Sequence, residues 1–294
     1  MPIRVPDGLP AKQTLHKERI FALEEDVASD QRIRPLRMAI LNLMPTKIET
    51  ETQILRLISK SPIQVEVDFM RVSSHESKNT SADHLVKFYE TFDAYRDKNY
   101  DGMIITGAPV EHLPFEDVDY WDELCEIMDW AREHVFSTMF LCWGAMAGLY
   151  HYYGIPKKML GEKLFGVFPQ RLCDEYSFLT NGFDEVHNMP HSRHAAIDTN
   201  ALAEHPELQA LSESFRTGPA LIATRDFHKG LPINLSVNYF PDDDPEKQPI
   251  FTWRSHANLL YRNWINWVYQ MTPYEFERIP EVIAEMREQV IEKF

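Results

Sequence analysis

A three-layer α/β sandwich on a mostly parallel sheet is the fold this sequence predicts, and three observations predict it. Short apolar runs alternate with amphipathic stretches through the first half of the chain, the runs are apolar at nearly every position, and each is closed by Pro, Gly or a small residue. A strand apolar throughout is covered on both faces, as in a parallel sheet with helices above and below.

The first such run, 36–44, ends at Pro45. From 46 to 59 the residues Ile48, Ile54, Leu55, Leu57 and Ile58 recur near helical spacing, with the acidic residues in the first half, where the positive end of the helix dipole favours them. Residues 65–72 alternate as a strand, a helix around 84–92 follows a polar stretch, and 102–106 is another apolar strand closed by Gly107, Ala108 and Pro109. Next come a helix over about 120–134, a strand over 138–141 running straight into Cys142, and a helix over 143–153 rich in small residues. Beyond Gly154 the pattern loosens to strands near Val167 and over 220–224, then an aromatic-rich helix over 253–271. No repeat or linker-like segment divides 1–294, so one continuous domain is expected, with its chemistry at the carboxyl ends of the strands.

Composition narrows the function. The 45 acidic residues against 30 Lys and Arg give a net charge of −15, which argues against a surface that neutralises nucleic-acid phosphates. Three irregularly spaced cysteines, Cys125, Cys142 and Cys173, fit neither a disulfide framework nor a four-ligand zinc site, so no metal and a reducing, cytoplasmic setting are expected. The N-terminus lacks a secretory apolar core, and nowhere is there an apolar run of the roughly 18 residues needed to span a bilayer.

Residues 138–148 have the shape of a nucleophile elbow: apolar strand, reactive residue, then small residues that let a helix pack closely. A cysteine on such a turn projects above the sheet edge, and the helix N-terminus behind it favours thiolate and can stabilise an oxyanion. The competing reading of Cys142 is a buried small hydrophobe. Cys125, inside a helix, and Cys173, in an unassigned region, read as structural.

Six ordered motifs carry a resemblance: residues 41–45 (Leu-Asn-Leu-Met-Pro), 106–109 (Thr-Gly-Ala-Pro), Cys142-Trp143, 190–193 (Pro-His-Ser-Arg), 238–241 (Asn-Tyr-Phe-Pro) and 253–256 (Trp-Arg-Ser-His). Over nearly its whole length the chain resembles the homoserine O-acyltransferases of methionine biosynthesis. The resemblance implies a fold like that of class I glutamine amidotransferases, a homodimer, and ping-pong transfer of an acyl group from acyl-CoA to the hydroxyl of L-homoserine. It implies Cys142 as the acyl-carrying nucleophile, and Lys163, Ser192 and Arg225 as substrate-binding residues. Glu111 matches the position that sets acyl-donor size, where glutamate goes with acetyl-CoA. A carboxylate there takes up volume and repels a succinyl carboxylate. Acetyl-CoA is thus the expected co-substrate, with no further cofactor, and neither nucleic acid nor membrane is an expected partner. Without the resemblance, Lys163 and Glu111 would read as surface charge and Ser192 as a turn former.

One departure matters. Between the strand at 220–224 and an arginine-aspartate pair, the family pattern carries a strand ending in a Gly-His-x-Glu-Tyr motif and a helix; here Thr224 joins directly to Arg225 and Asp226, and about two dozen residues, with the family's His and Glu base, are missing. Arg225 matches a substrate-gripping arginine on one alignment and an ordinary loop cation on another. Losing a strand and helix predicts exposed apolar surface and an open sheet edge. Among the histidines His228 lies nearest the junction, while His191, His194 and His256 read as structural members of their motifs. Two other readings compete with an acetyltransferase: a pseudoenzyme that binds ligand without turnover, and a hydrolase of the amidotransferase type, which needs the same missing histidine.

Overall fold

The computed structural model describes residues 3–4, 8–17, 22–23, 34–75, 80–224, 229–231 and 251–291. The elements are, in chain order, β1 (Ile3–Arg4), α1 (Pro10–Lys17), β2 (Ala22–Leu23), β3 (Leu36–Leu41), α2 (Lys47–Ile58), β4 (Val65–Arg71), α3 (Ala82–Phe88), β5 (Tyr89–Thr91), β6 (Tyr100–Ile105), α4 (Trp121–His134), β7 (Val135–Phe140) and α5 (Trp143–Tyr153). There follow β8 (Lys157–Leu172), β9 (Val186–Ile197), α6 (Thr199–Ala203), β10 (Leu208–Ser214), β11 (Gly218–Thr224), β12 (Lys229–Leu231), α7 (Arg254–Met271) and α8 (Ile279–Ile291).

Among the described residues one sheet runs in the order β2-β1-β4-β3-β6-β7-β12-β11-β10-β8-β9, with β5 on β4. The half from β2 to β12 is parallel, so the predicted mostly parallel α/β fold is present. The remainder is antiparallel, dominated by the β8–β9 hairpin, whose second strand the sequence pattern did not reveal.

Side-chain alternation along the central strands builds the two outer layers. In β3, Ala39 and Leu41 join the core under α4 and α5, while Leu36, Met38 and Ile40 join the core under α2 and α7. In β6, Met103 and Ile105 face the first core and Ile104 the second. Each fully buried Leu or Ile contributes about 1.5–3 kcal/mol. The aromatic helix α7 is anchored on the second face by Trp264, which is 1% exposed and donates its indole N–H to Ser137 Oγ at 2.9 Å.

The predicted helix at 84–92 instead starts at Ala82, where Ser81 Oγ accepts from the His84 N–H, and ends at Phe88, because Tyr89, Glu90 and Thr91 pair with β4. The expected open edge beside the missing unit is not found at β7. The three-residue β12 pairs in parallel with β7 (Lys229 with Thr138, Gly230 with Met139) and antiparallel with β11.

Candidate active site

Cys142 sits where β7 hands over to α5, and its backbone has φ 54° and ψ −121°, the single non-glycine residue with positive φ among those described. A side chain in that region costs on the order of 1–3 kcal/mol and persists only where its surroundings hold it. They do so here at very short range. A Cβ on Gly107 would meet Cys142 Cβ at 2.8 Å and Sγ at 3.2 Å, and one on Gly144 would meet Thr106 O at 2.5 Å. Leu141 N–H donates to Ile105 O at 2.8 Å, and the Gly144 and Ala145 N–H groups close the first turn of α5 onto Leu141 and Cys142. The strand-to-helix handover read from the sequence is therefore built by small residues on both sides of the cysteine.

Cys142 is half-buried and lies outside any disulfide. It opens on a cleft enclosing about 440 Å³, counted out to solvent, with apolar walls from α5 and β11 and two polar groups from β9, His191 and Arg193. Because β9 alternates, 191, 193 and 197 share one face and line this cleft. Arg193 is 7% exposed, and its Nη2 donates to Thr217 O. Burial pulls the guanidinium below its ordinary value, and the charge of Cys142 acts in the opposite sense. His191 is 2% exposed, and burial, reinforced by the Arg193 charge, pushes its protonation down to about 3.

The residues singled out from the sequence lie at different distances from this cleft. Glu111 is half-buried in the loop after β6, where its Oε1 accepts from the His194 N–H at 3.1 Å. Lys163 is exposed on β8 with Nζ over the Phe165 ring at 5.1 Å, and Ser192 is half-buried in register with Phe165. Neither lines the cleft, and alternation turns Ser192 to the opposite face of β9 from His191 and Arg193. Arg225, His228 and residues 238–241 lie outside the described residues. His256 bonds through Nε2 to Asp184 Oδ2 at 3.1 Å. His191 and Arg193 were hidden because the motif at 190–193 was not recognised as a strand; once it is, period-two alternation selects them over Ser192.

At the end of β3 lies a buried polar cluster. Glu51, 0% exposed, accepts from Tyr89 OH at 2.6 Å and bonds His84 Nε2 at 2.9 Å, while Lys47 Nζ donates to Asn42 O at 2.5 Å. Burial lowers Lys47 to about 8, against the opposing pull of Glu51. Among the described residues no group of three or more His, Cys, Asp or Glu side chains could hold a metal, and no helix is long and apolar enough to cross a membrane.

The parallel sheet flanked by helices, with a cysteine strained onto the turn at one strand's carboxyl end, defines the class: a fold of the class I glutamine amidotransferase type. The glutaminase domain of Trypanosoma brucei CTPS, solved with bound acivicin, superposes with TM-score 0.54 at 10% identity, covering 81% of this chain and 95% of that one. Within this class the chain belongs to the homoserine O-succinyltransferase family, whose profile matches residues 2–226 and 223–274. It is 58% identical to a homoserine O-acetyltransferase of Bifidobacterium adolescentis, covering 98% of this chain and 91% of that protein, and 51% identical to a homoserine O-acetyltransferase of Clostridium acetobutylicum, covering 94% and 100%.

The break expected near residue 225 is visible in these matches. The family profile is interrupted at 223–226. The first alignment spans 312 columns yet takes up 98% of the 294 residues, about 288, so about two dozen columns of the relative stand opposite nothing. The second gives the same difference, 300 columns over 94% of the chain. The interruption lies between β11 and β12, one strand away from Cys142.

Proposed function

We propose that this protein is a homoserine O-acetyltransferase in which Cys142 carries the acetyl group as a thioester. The observation that supports this reading best is a strained cysteine at a helix N-terminus, opening on a cleft with a buried arginine that has no carboxylate partner among the described residues. Sγ, as thiolate, attacks the carbonyl carbon of acetyl-CoA; the π pair moves to oxygen, returns, and expels CoA as thiolate. The homoserine hydroxyl oxygen then attacks the Cys142 thioester, its proton leaves to a base, and Cys142 departs as thiolate. Splitting one transfer into two lowers both barriers. Glu111, its carboxylate fixed by the His194 N–H, selects acetyl over succinyl donors by bulk and charge. Lys163, Ser192 and Arg225 are assigned to substrate binding on the resemblance alone.

The first half-reaction needs no base once the sulfur is ionised, whereas the second removes a proton from a weakly acidic hydroxyl, a role worth about 10²–10⁴ in rate. With the segment that bears the family's His and Glu missing, the acetyl-enzyme forms readily and discharges slowly. The test is intact-protein mass spectrometry after mixing with acetyl-CoA, then after adding L-homoserine. The expected result is stoichiometric acetylation absent from Cys142→Ala, followed by slow loss as O-acetylhomoserine appears. No acetyl mass, with CoA release no faster than in Cys142→Ala, refutes the assignment. Stable acetylation that homoserine never discharges identifies instead an acyl-binding protein without turnover.

A further inference from the structure

Two side chains on β9 line the Cys142 cleft, each with one nitrogen whose hydrogen-bonding capacity is unused among the described residues. His191 Nδ1 and Arg193 Nε are both buried from solvent and have no hydrogen-bond partner among the described residues. An unpartnered buried donor costs about 1–3 kcal/mol, so such an atom calls for an explanation.

With the Gln170 amide nitrogen turned toward Thr217 Oγ1, the hydrogen-bond network assigns the His191 proton to one ring nitrogen. Thr217 Oγ1 lies 3.1 Å from Gly218 O and 3.4 Å from Gln170 Oε1, and because both can only accept, the threonine hydrogen goes to one of them. In either case Thr217 Oγ1 accepts from the Gln170 amide nitrogen Nε2 at 3.0 Å. The other Nε2 hydrogen points to His191 Nε2 at 3.2 Å, so that ring nitrogen accepts. The proton of the neutral ring is therefore on Nδ1, the nitrogen without a partner. A histidine arranged this way cannot take a proton from the homoserine hydroxyl at either nitrogen, so it does not replace the missing base. It can donate.

We propose that His191, through Nδ1–H, donates a hydrogen bond to the acyl oxygen as it becomes an oxyanion on Cys142, while the Arg193 guanidinium serves as counter-ion of the Cys142 thiolate. This rests on the acyl-transfer reading above and assigns two residues to it. Arg193 is suited to its part: Thr217 O holds one end of its fork, and the Cys142 charge is the anion that acts on it. His191 stays neutral throughout the working pH range, its protonation lying near 3, so its donor is constant; a neutral imidazole is a known form of electrophilic catalyst. In the step concerned, the Sγ–C bond forms, the carbonyl π pair moves to oxygen, and its return breaks the bond to the leaving group. His191 lends its hydrogen without transferring it.

Two reagents separate the roles in the full-length protein. p-Nitrophenyl acetate acylates Cys142 through a tetrahedral oxyanion and releases p-nitrophenolate, whereas iodoacetamide alkylates the same sulfur by direct displacement with no oxyanion. Site-resolved mass spectrometry follows Cys142 in both reactions. His191→Ala is expected to slow acylation by about 10²–10³ while alkylation stays within about twofold. His191→Asn, which restores an N–H near the Nδ1 position, recovers at least about tenfold of the loss. Arg193→Gln slows both reactions and raises the pH of half-maximal alkylation by about one unit or more, and Arg193→Lys restores most of it. If acylation survives in His191→Ala, or both reactions fall together there and in His191→Asn, the donor assignment is overturned; an unmoved alkylation midpoint in Arg193→Gln overturns the counter-ion. Because p-nitrophenyl acetate reports the donor without CoA, a wild-type protein that it acylates and acetyl-CoA does not would overturn the acetyltransferase reading while leaving this one in place. A Cys142 that alkylates but accepts no acyl group from either reagent overturns both.

Discussion

Replacing Gly144 by alanine tests the elbow directly. The added Cβ would lie 2.5 Å from Thr106 O and 3.2 Å from Ile105 O, so reaching an ordinary contact near 3.4 Å requires α5 to withdraw by about 0.9 Å. The strand cannot give way: Thr106 N–H bonds Leu41 O at 3.0 Å, Thr106 Oγ1 accepts from Leu43 N–H at 2.8 Å, and Ile105 O holds Leu141 N–H at 2.8 Å. Overpacking of this kind costs about 1–3 kcal/mol, while Gly to Ala inside a helix returns about 1 kcal/mol, leaving a net loss of up to about 2 kcal/mol. Cys142, one residue before the helix, moves with it, and a displacement approaching 1 Å lowers the rate by about 10². Gly161, where an added Cβ meets nothing within 4 Å, provides the control. Urea unfolding and the rate of Cys142 acylation measure both effects. A Gly144→Ala protein as stable as wild type, acylating at the wild-type rate, would refute the view that close approach of α5 to β6 positions the sulfur.

Three other outcomes are expected. Cys142→Gly should be about 1 kcal/mol more stable than Cys142→Ala in urea unfolding, since both lose the thiol and only glycine relieves the positive φ; equal midpoints would remove strain from the account. His187, held near 4 by burial, and His191, near 3, exclude protons that the unfolded chain binds below about 6.5. Each therefore lowers stability as pH falls through that window, by up to about 1.4 kcal/mol per pH unit, and His187→Gln should flatten the fall between about pH 6 and 4.5, whereas parallel curves would contradict it. Glu111→Gly should shift the ratio of Cys142 acylation by succinyl-CoA over acetyl-CoA upward by about tenfold or more, and an unchanged ratio would separate Glu111 from donor choice.

The central sheet was legible because its strands are buried on both faces and so nearly uniformly apolar: β3, β6 and β7 differ from their sequence-based limits by a few residues, and α5 matches at both ends, with Gly154 (φ 67°) as its left-handed stop. The antiparallel half was not. β9 carries His187, His191, Arg193 and His194 among its apolar residues, and β8 has many exposed positions, so neither presents an uninterrupted apolar run. Cys142 could be picked out because its neighbours Gly144 and Gly148 announce close packing. The groups facing it could not, because they arrive from a strand nearly fifty residues later whose register only the three-dimensional pairing with β8 reveals.

The position of the break bears on the chemistry as much as its content does. Removing a strand beside β7 would leave backbone donors and acceptors of both β7 and β11 without partners, each at a cost comparable to a lost hydrogen bond. Residues 229–231 bridge the two strands instead, and they pair at Thr138 and Met139, just before the elbow. The supports of Cys142, namely Gly107, Gly144, the first turn of α5 and the β9 pair, come from elements outside the break. On the acyl-transfer reading proposed above, what the shortened chain lacks is then confined to proton removal. That predicts an uneven enzyme rather than an inert one: Cys142 accepts an acyl group at a rate set by its own surroundings, and a supplied base is what it needs to pass the group on. Added imidazole should accelerate discharge of the acetyl-enzyme by homoserine in this chain, with O-acetylhomoserine as the product; acceleration of hydrolysis alone would mean that the acceptor hydroxyl is not held against the thioester.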